Sequence, residues 1–306
     1  MTTKNVSKAR PKAKQGFWQS IIVVLIIVTA IRSFAFEAFH IPSGSMKNTL
    51  LVGDFLFVNK LAYGVHTPKY IPFTNIPIPH TGFDYRDIQR GDVVVFEYPG
   101  NRDDVKPLEW NVNYIKRCVA VAGDVVEITN KQLYVNGVAS ANPSQMRYNF
   151  PSVPKGIAEP SIFPKGASWN HDNYGPIRVP KKGDVLPISA DNIEAWSVFI
   201  QREGHNVATS ASGVVTIDGT PATGYTVERD YLWMMGDNRD DSEDSRFWGF
   251  CPRENVLGSS MFVYWSWYNP PNMQGRNLDR ETNDGYDPEE SQHLHVRWSR
   301  FLRSAQ

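Results

Sequence analysis

Residues Asn111–Ala122 read NVNYIKRCVAVA and run straight into Gly123-Asp124. Alternate residues of a strand share a face. One face then carries Val112, Tyr114, Lys116, Cys118 and Ala120, and the other carries Ile115, Val119 and Val121, with Arg117 as the exception. Both faces are apolar enough for burial, so the stretch reads as an inner strand with a lysine enclosed in it. Similar strands surround it. Leu51–Lys60 (LVGDFLFVNK) and Gly91–Tyr98 (GDVVVFEY) carry Gly-Asp turns, and Val125–Val135 makes a hairpin turning near Asn130. Ser259–Tyr268 is an apolar, aromatic strand, and His295–Leu302 is expected to form a last one. Residues 67–80 are Pro-rich and irregular, 139–176 are loop-like, 177–228 alternate again, and 269–291 are polar loop. The Gly-Asp pairs at 53, 91, 123 and 183 are turn chemistry before strands, not a repeat. No helical periodicity of useful length occurs beyond the N-terminus. The expected fold is mostly β: a single N-terminal transmembrane helix, then an extramembrane all-β domain built from 37–136 and 229–306, with an inserted β subdomain and loops at 137–228.

Working outward to the N-terminus, residues 1–16 carry Lys4, Lys8, Arg10, Lys12 and Lys14 and no acid. An apolar run follows, densest at Ile21–Val28 (IIVVLIIV), and residues 17–36 reach the ~20 residues of a spanning helix. Arg32 is placed to snorkel at the far interface. The basic tail predicts a cytoplasmic N-terminus and everything after residue 36 outside. The competing reading is a cleavable signal peptide with a cut after Ala35, since Ser33-Phe34-Ala35 offers small residues at suitable spacing. Both readings export the domain.

The 306 residues carry a formal net charge of zero, so no global basic field draws in nucleic acid. Only Cys118 and Cys251 occur, which excludes a disulfide framework or a Cys-rich zinc site. One bridge between them and two buried free thiols are both open.

Three constellations carry chemistry. Ile41-Pro42-Ser43-Gly44-Ser45-Met46 is a constrained turn able to present the Ser45 hydroxyl, although a lone Ser-Gly-Ser is ordinarily just a turn. Ser45 lies nine residues past Phe36, within roughly 30 Å of the span's end even if fully extended. A serine nucleophile needs an adjacent base. Lys116 qualifies if burial lowers its pKa; without a partner serine it would be a snorkelling lysine. Gly236–Arg246 (GDNRDDSEDSR) alternates carboxylates with Arg239 and Arg246 and holds two hydroxyls. Its bland reading is a solvated loop. A calcium loop fails for want of glycine at the sixth position. Flanking apolar strands favour an ordered platform.

Together, PSGSM, GDFLFVNK, YIKR and GDNRDDSEDSRFWGF, in this order from about residue 30 to 268, resemble bacterial type I signal peptidase. The resemblance implies a mostly β Ser/Lys protease that removes signal peptides from exported preproteins at the outer face of the plasma membrane, with small residues at −1 and −3. It implies Ser45 as nucleophile and Lys116 as general base, with Ser43 and the Ser45 N–H as oxyanion hole. It makes Ser242 and Tyr114 the residues that orient the lysine, and Asp237, Arg239, Asp244 and Arg246 a structural charge platform. Phe39, Ile41, Pro42 and Ile115 would line the substrate pocket. No metal or cofactor is expected. The expected partners are preproteins and membrane lipid, not nucleic acid, and the chain is expected to be monomeric. The motif departs from the family at Asn48, where the family usually has Pro; this is expected to loosen the turn.

Rivals are a histidine base, with His40 five residues from Ser45, a non-enzymatic single-span binding domain, and a Ser/Lys relative devoted to one substrate or to self-cleavage. Trp265, Trp267 and Tyr268 are either core or, the reading favoured here, an apolar patch resting in the bilayer interface.

Overall fold

The computed structural model describes residues 12–71, 74, 76–107, 112–268 and 295–305. The chain begins with α1 (Lys12–Phe34). Its Gly16–Phe34 portion has a mean hydropathy of 2.0 and none of it is buried against the other described residues. At 1.5 Å per residue this portion is about 28 Å long, close to the ~30 Å hydrocarbon core of a bilayer.

After α1 come β1 (Phe36–His40), β2 (Asp54–Asn59), the short hairpin of β3 (Gly64–His66) and β4 (Gly82–Asp84), then β5 (Val93–Glu97) and β6 (Asn113–Ala120). β3 and β4, which flank the Pro-rich 67–80 stretch in sequence, pair with each other. β7 (Val125–Thr129), β8 (Gln132–Val135), β9 (Val138–Ala139), β10 (Tyr174–Arg178) and β11 (Val185–Pro187) follow. Next are α2 (Ile193–Arg202), β12 (Val207–Thr209), β13 (Val215–Ile217), β14 (Thr220–Pro221) and β15 (Gly224–Thr226). The chain returns through β16 (Tyr231–Met235), the one-turn α3 (Ser245–Trp248), β17 (Cys251–Pro252), β18 (Val256–Tyr268) and β19 (His295–Val296).

The main sheet has the order β1-β2-β18-β5-β6-β16-β17, with β19 on β18, and all its pairings are antiparallel. β5 shows why the fold forms. Its sequence VVVFE splits between two faces: Val93 and Val95 join Ile41, Leu56 and Val58, while Val94 and Phe96 join Cys118, Met234 and Trp248. Burial on both sides explains a continuous apolar run in place of alternation. β6 lies beside it with Val94 opposite Lys116 and Phe96 opposite Tyr114. Lys116 therefore leaves the sheet on the same face as Tyr114 and Cys118.

The middle of the chain differs from expectation in one element. α2 is a ten-residue helix burying Ile193, Phe199 and Ile200, with Trp196 half-buried on the same side. It packs in a core that also takes Tyr174, Ile177 and Tyr225 from the middle segment and Ala120, Tyr231, Trp233 and Phe250 from the main sheet region. The middle segment thus shares its core with β6 and β16. The expected strand over His295–Leu302 is also shorter: β19 covers two residues, and a 3-10 turn, Trp298–Arg300, follows. That turn brings Arg300 inward onto Asp54, where Nε lies 2.9 Å from both carboxylate oxygens. The predicted polar loop at 269–291 falls outside the described residues.

Cys118 and Cys251 are both buried and free. They flank β16 on opposite sides, Cys118 in register with Met234 and Cys251 with Leu232. Two strand spacings are about 9–10 Å, beyond the ~7 Å Cα reach of a disulfide.

Candidate active site

The chain leaving β1 stays tied to β2, since Ile41 N–H donates to Asp54 O (2.8 Å) and Gly53 N–H to Ile41 O (2.9 Å). It then turns sharply. Lys47 N–H donates to Gly44 O (2.9 Å) and Leu50 N–H to Met46 O (2.7 Å), while Met46 and Leu50 are fully buried beneath the turn. Ser45 sits on this turn. Asn48 has φ +78° and its side-chain amide donates to Gln145 O at 3.1 Å. Instead of loosening the turn, the departure from Pro is held in place. Asn tolerates the left-handed region, whereas Pro is confined near φ −65°.

Lys116 Nζ lies 2.6 Å from Ser45 Oγ. The lysine is 4 % exposed and the serine 8 %. Burial lowers the Lys116 pKa from 10.5 to about 8, against an opposing pull from Asp244 and Glu243. Desolvation penalises the ammonium more than the nearby carboxylates support it. The amine sits 5.2 Å from the centre of the Tyr114 ring, which is itself stacked on Tyr98 at 4.4 Å. His40, by contrast, is exposed and packs against Phe55 at 4.7 Å, with no hydrogen bond to Ser45.

The charged run after β16 is buried, not solvated: Asp237, Asn238, Arg239, Asp244 and Arg246 are all at most 2 % exposed. It pairs only in part within itself. Asp244 and Arg246 form one bidentate pair, both contacts 2.8 Å, and Asp244 also caps α3 by accepting from Arg246 N–H. Asp237 instead takes the guanidinium of Arg117 on β6 at 2.7 and 2.8 Å and the Thr49 hydroxyl at 2.5 Å. Arg239 binds backbone, Nε donating to Gly236 O at 3.1 Å. The run is therefore a bracket between β6 and the Ser45 turn. An arginine inside an apolar strand was the available signal for this partner, because a buried charge requires one. Nothing in the local pattern pointed to Thr49 or Asn238.

Gly236 allows the close approach. A Cβ there would lie 2.2 Å from Ser242 Oγ and 2.5 Å from Ser45 O. Ser242 thus sits beside the Ser45 backbone, buried, and among the described residues its hydroxyl makes no hydrogen bond; the expected bond to Lys116 is not formed. Ser43 and Pro42 are exposed. Phe39, Ile41 and Ile115 meet in one apolar cluster.

Away from this site, His171, Asp172 and Asp240 offer ligand atoms within 4.8 Å of one another. Lys131 Nζ already stands among them, 2.8 Å from Asp240 and 3.6 Å from Asp172, so an ammonium balances the two carboxylates.

The family model described as signal peptidase, peptidase S26, matches residues 14–265. A signal peptidase I of Pseudomonas fluorescens is 34% identical over 265 residues, 83% of this chain and 73% of that protein. One from Pseudomonas aeruginosa is 33% identical, covering 86% of this chain and 77% of that protein. One from Helicobacter pylori strain J99 is 30% identical over 95% of this chain and 93% of its own. With a match across nearly all of the β domain and relatives aligned over most of their length, the chain belongs to the signal peptidase family, peptidase S26, and is a serine peptidase of the signal peptidase I type.

Proposed function

We propose that this peptidase cuts signal peptides from exported preproteins with a Ser45/Lys116 dyad. The observation that carries the reading is the 2.6 Å approach of a buried amine, its pKa lowered to about 8, to a serine hydroxyl. A neutral amine accepts the Ser45 proton as Oγ attacks the carbonyl after the −1 residue. The developing oxyanion is met by the Ser45 N–H and the exposed Ser43 hydroxyl. Among the described residues the Ser45 N–H donates to no acceptor, so it is available for that task. The Lys116 ammonium then returns the proton to the leaving amine. In deacylation the same amine takes a proton from water, the hydroxide attacks the acyl-serine, and Ser45 leaves reprotonated.

Tyr114 shields the amine from one side. Ser242, without a hydrogen-bond partner among the described residues and beside the same turn, is the hydroxyl available to steer it. Asp237, Arg239, Asp244 and Arg246 act as scaffold. Phe39, Ile41, Pro42 and Ile115 take the small side chains at −1 and −3. α1 spans the membrane with the basic tail on the cytoplasmic side and the β domain outside, monomeric and in contact with lipid. The exposure of His40 and its packing against Phe55, with Ser45 Oγ held by Lys116 instead, favour lysine over the histidine rival.

The test is cleavage of a full-length precursor in detergent by wild type, Ser45→Ala, Lys116→Ala and Lys116→Arg, with the product ends read by mass spectrometry. All three variants should fall to background, the arginine because it does not release its proton. Cleavage by Ser45→Ala at the wild-type position would sink the dyad.

A further inference from the structure

Asn238 contacts the nucleophile turn twice. Its backbone N–H donates to Ser45 O at 3.0 Å, and its side-chain Nδ2 donates to Gly44 O at 3.1 Å. The carboxamide is fully buried and its orientation is unambiguous. Nδ2 also faces the Asp241 carboxylate at 3.2 Å, while Oδ1 accepts from Asn149 Nδ2 at 3.0 Å. Flipping the amide would set oxygen against two acceptors and nitrogen against a donor.

The consequence follows from the planar trans peptide. Its C=O and N–H point in opposite directions. Gly44 O is held by Asn238 Nδ2 on one side and by Lys47 N–H (2.9 Å) on the other. The Ser45 N–H of the same peptide unit must then point away from the charged loop. It is the one backbone donor of the turn that the proposed mechanism needs, and among the described residues it is unengaged.

We infer that Asn238 is a positioning residue of the oxyanion hole: by clamping the Gly44 carbonyl it aims the Ser45 N–H at the developing oxyanion. This rests on the dyad reading of the preceding section. Loss of the clamp lets the Gly44–Ser45 peptide rock without moving Lys116. The effect belongs in the transition state, where the oxyanion forms, and not in ground-state binding.

The experiment compares wild type, Asn238→Ala and Asn149→Ala, the last unhooking the carboxamide without touching the turn. It measures kcat, KM, the pH midpoint of kcat/KM, thermal stability, and affinity for two probes. One probe is a peptide boronate with alanine at −1 and −3, which forms a tetrahedral adduct; the other is the cleaved signal peptide. Asn238→Ala should lose roughly 10–100-fold in kcat, below the ~10²–10³ of deleting a donor outright. KM and the pH midpoint should hold within twofold and 0.3 units (roughly the scatter of such assays), boronate affinity should fall with kcat, and signal-peptide affinity should not. Asn149→Ala should show a smaller loss of the same kind, and it carries the test if Asn238→Ala does not fold. Wild-type kcat in both variants, equal losses for both probes, or a shifted pH midpoint would overturn the inference. Ser45→Ala separates the two readings: if it still cleaves, the dyad itself fails; if it is dead while Asn238→Ala keeps full kcat and boronate affinity, only the clamp fails.

Discussion

Lys116 has an environment that opposes its charge, and the general-base role proposed for it needs that charge removed. Its pKa of about 8, lowered by burial, implies that kcat/KM falls about tenfold per pH unit below that value and levels off above it. A pH profile flat down to pH 6 would contradict a lysine base. The same shift has a stability sign. The folded pKa lies below the ordinary 10.5, so the cost of burying the ammonium is full below about pH 8 and is relieved as pH rises towards 10.5. Lys116→Met should therefore be inactive yet melt higher than wild type at pH 6, as scanning calorimetry would show. Asn48 supplies a second prediction at this scale. With φ +78°, Asn48→Gly should keep most activity, losing only the bond to Gln145 O. Asn48→Pro must rebuild the turn and should lower both the unfolding midpoint and the precursor cleavage rate.

Among the elements, β6 does two jobs at once. Lys116 reaches Ser45 and its neighbour Arg117 forks onto Asp237, which also receives the Thr49 hydroxyl at the end of the Ser45 turn. One strand residue meets Ser45 and the next fixes the loop behind its turn. Arg117→Ala leaves the Asp237 carboxylate buried without its counter-charge, which should destabilise the fold by about 3–5 kcal/mol. Urea unfolding reads this, and a change under 1 kcal/mol (about the level of an exposed pair) would mean the pair is incidental. Both roles follow from the strand period, but only the lysine's was read from it. The partner of Arg117 lies 120 positions away, and local pattern does not specify contacts at that range. α2 was missed for a different reason. Its apolar residues Ile193, Trp196, Phe199 and Ile200 keep helical spacing over only ten residues, too short a window to stand out among flanking polar turns.

On the scale of the whole molecule, α1 is exposed along its apolar length while the β domain closes its own cores without it. The domain is therefore expected to fold when residues 1–34 are removed. It also exposes Trp298 (71%), Leu302 (62%), Phe301 (55%) and Trp267 (39%). Trp298 stands edge-on to Trp265 at 5.7 Å, so the patch joins the end of β18 to the C-terminal turn. Aromatic and apolar groups grouped this way favour the bilayer interface. The truncated domain should co-sediment with phosphatidylcholine vesicles, and replacing Trp298, Phe301 and Leu302 by Ser should abolish this while leaving its unfolding midpoint within a few degrees. Sedimentation unchanged by the triple substitution would place the contact elsewhere.

The amino-acid order alone determined the long apolar N-terminal helix, the β character, the inner position of Lys116 and, through its resemblance, the pairing of Ser45 with that lysine. These follow from period, hydropathy and short motifs, all properties of neighbouring residues. The three-dimensional packing alone decided that Asp237 answers Arg117, that Asp54 answers Arg300, that Asn238 holds the Gly44 carbonyl, and that the two thiols stand too far apart to join. Each depends on which distant segments share a buried space. A buried charge demands a partner wherever the chain can bring one, and its own neighbours do not say where that is.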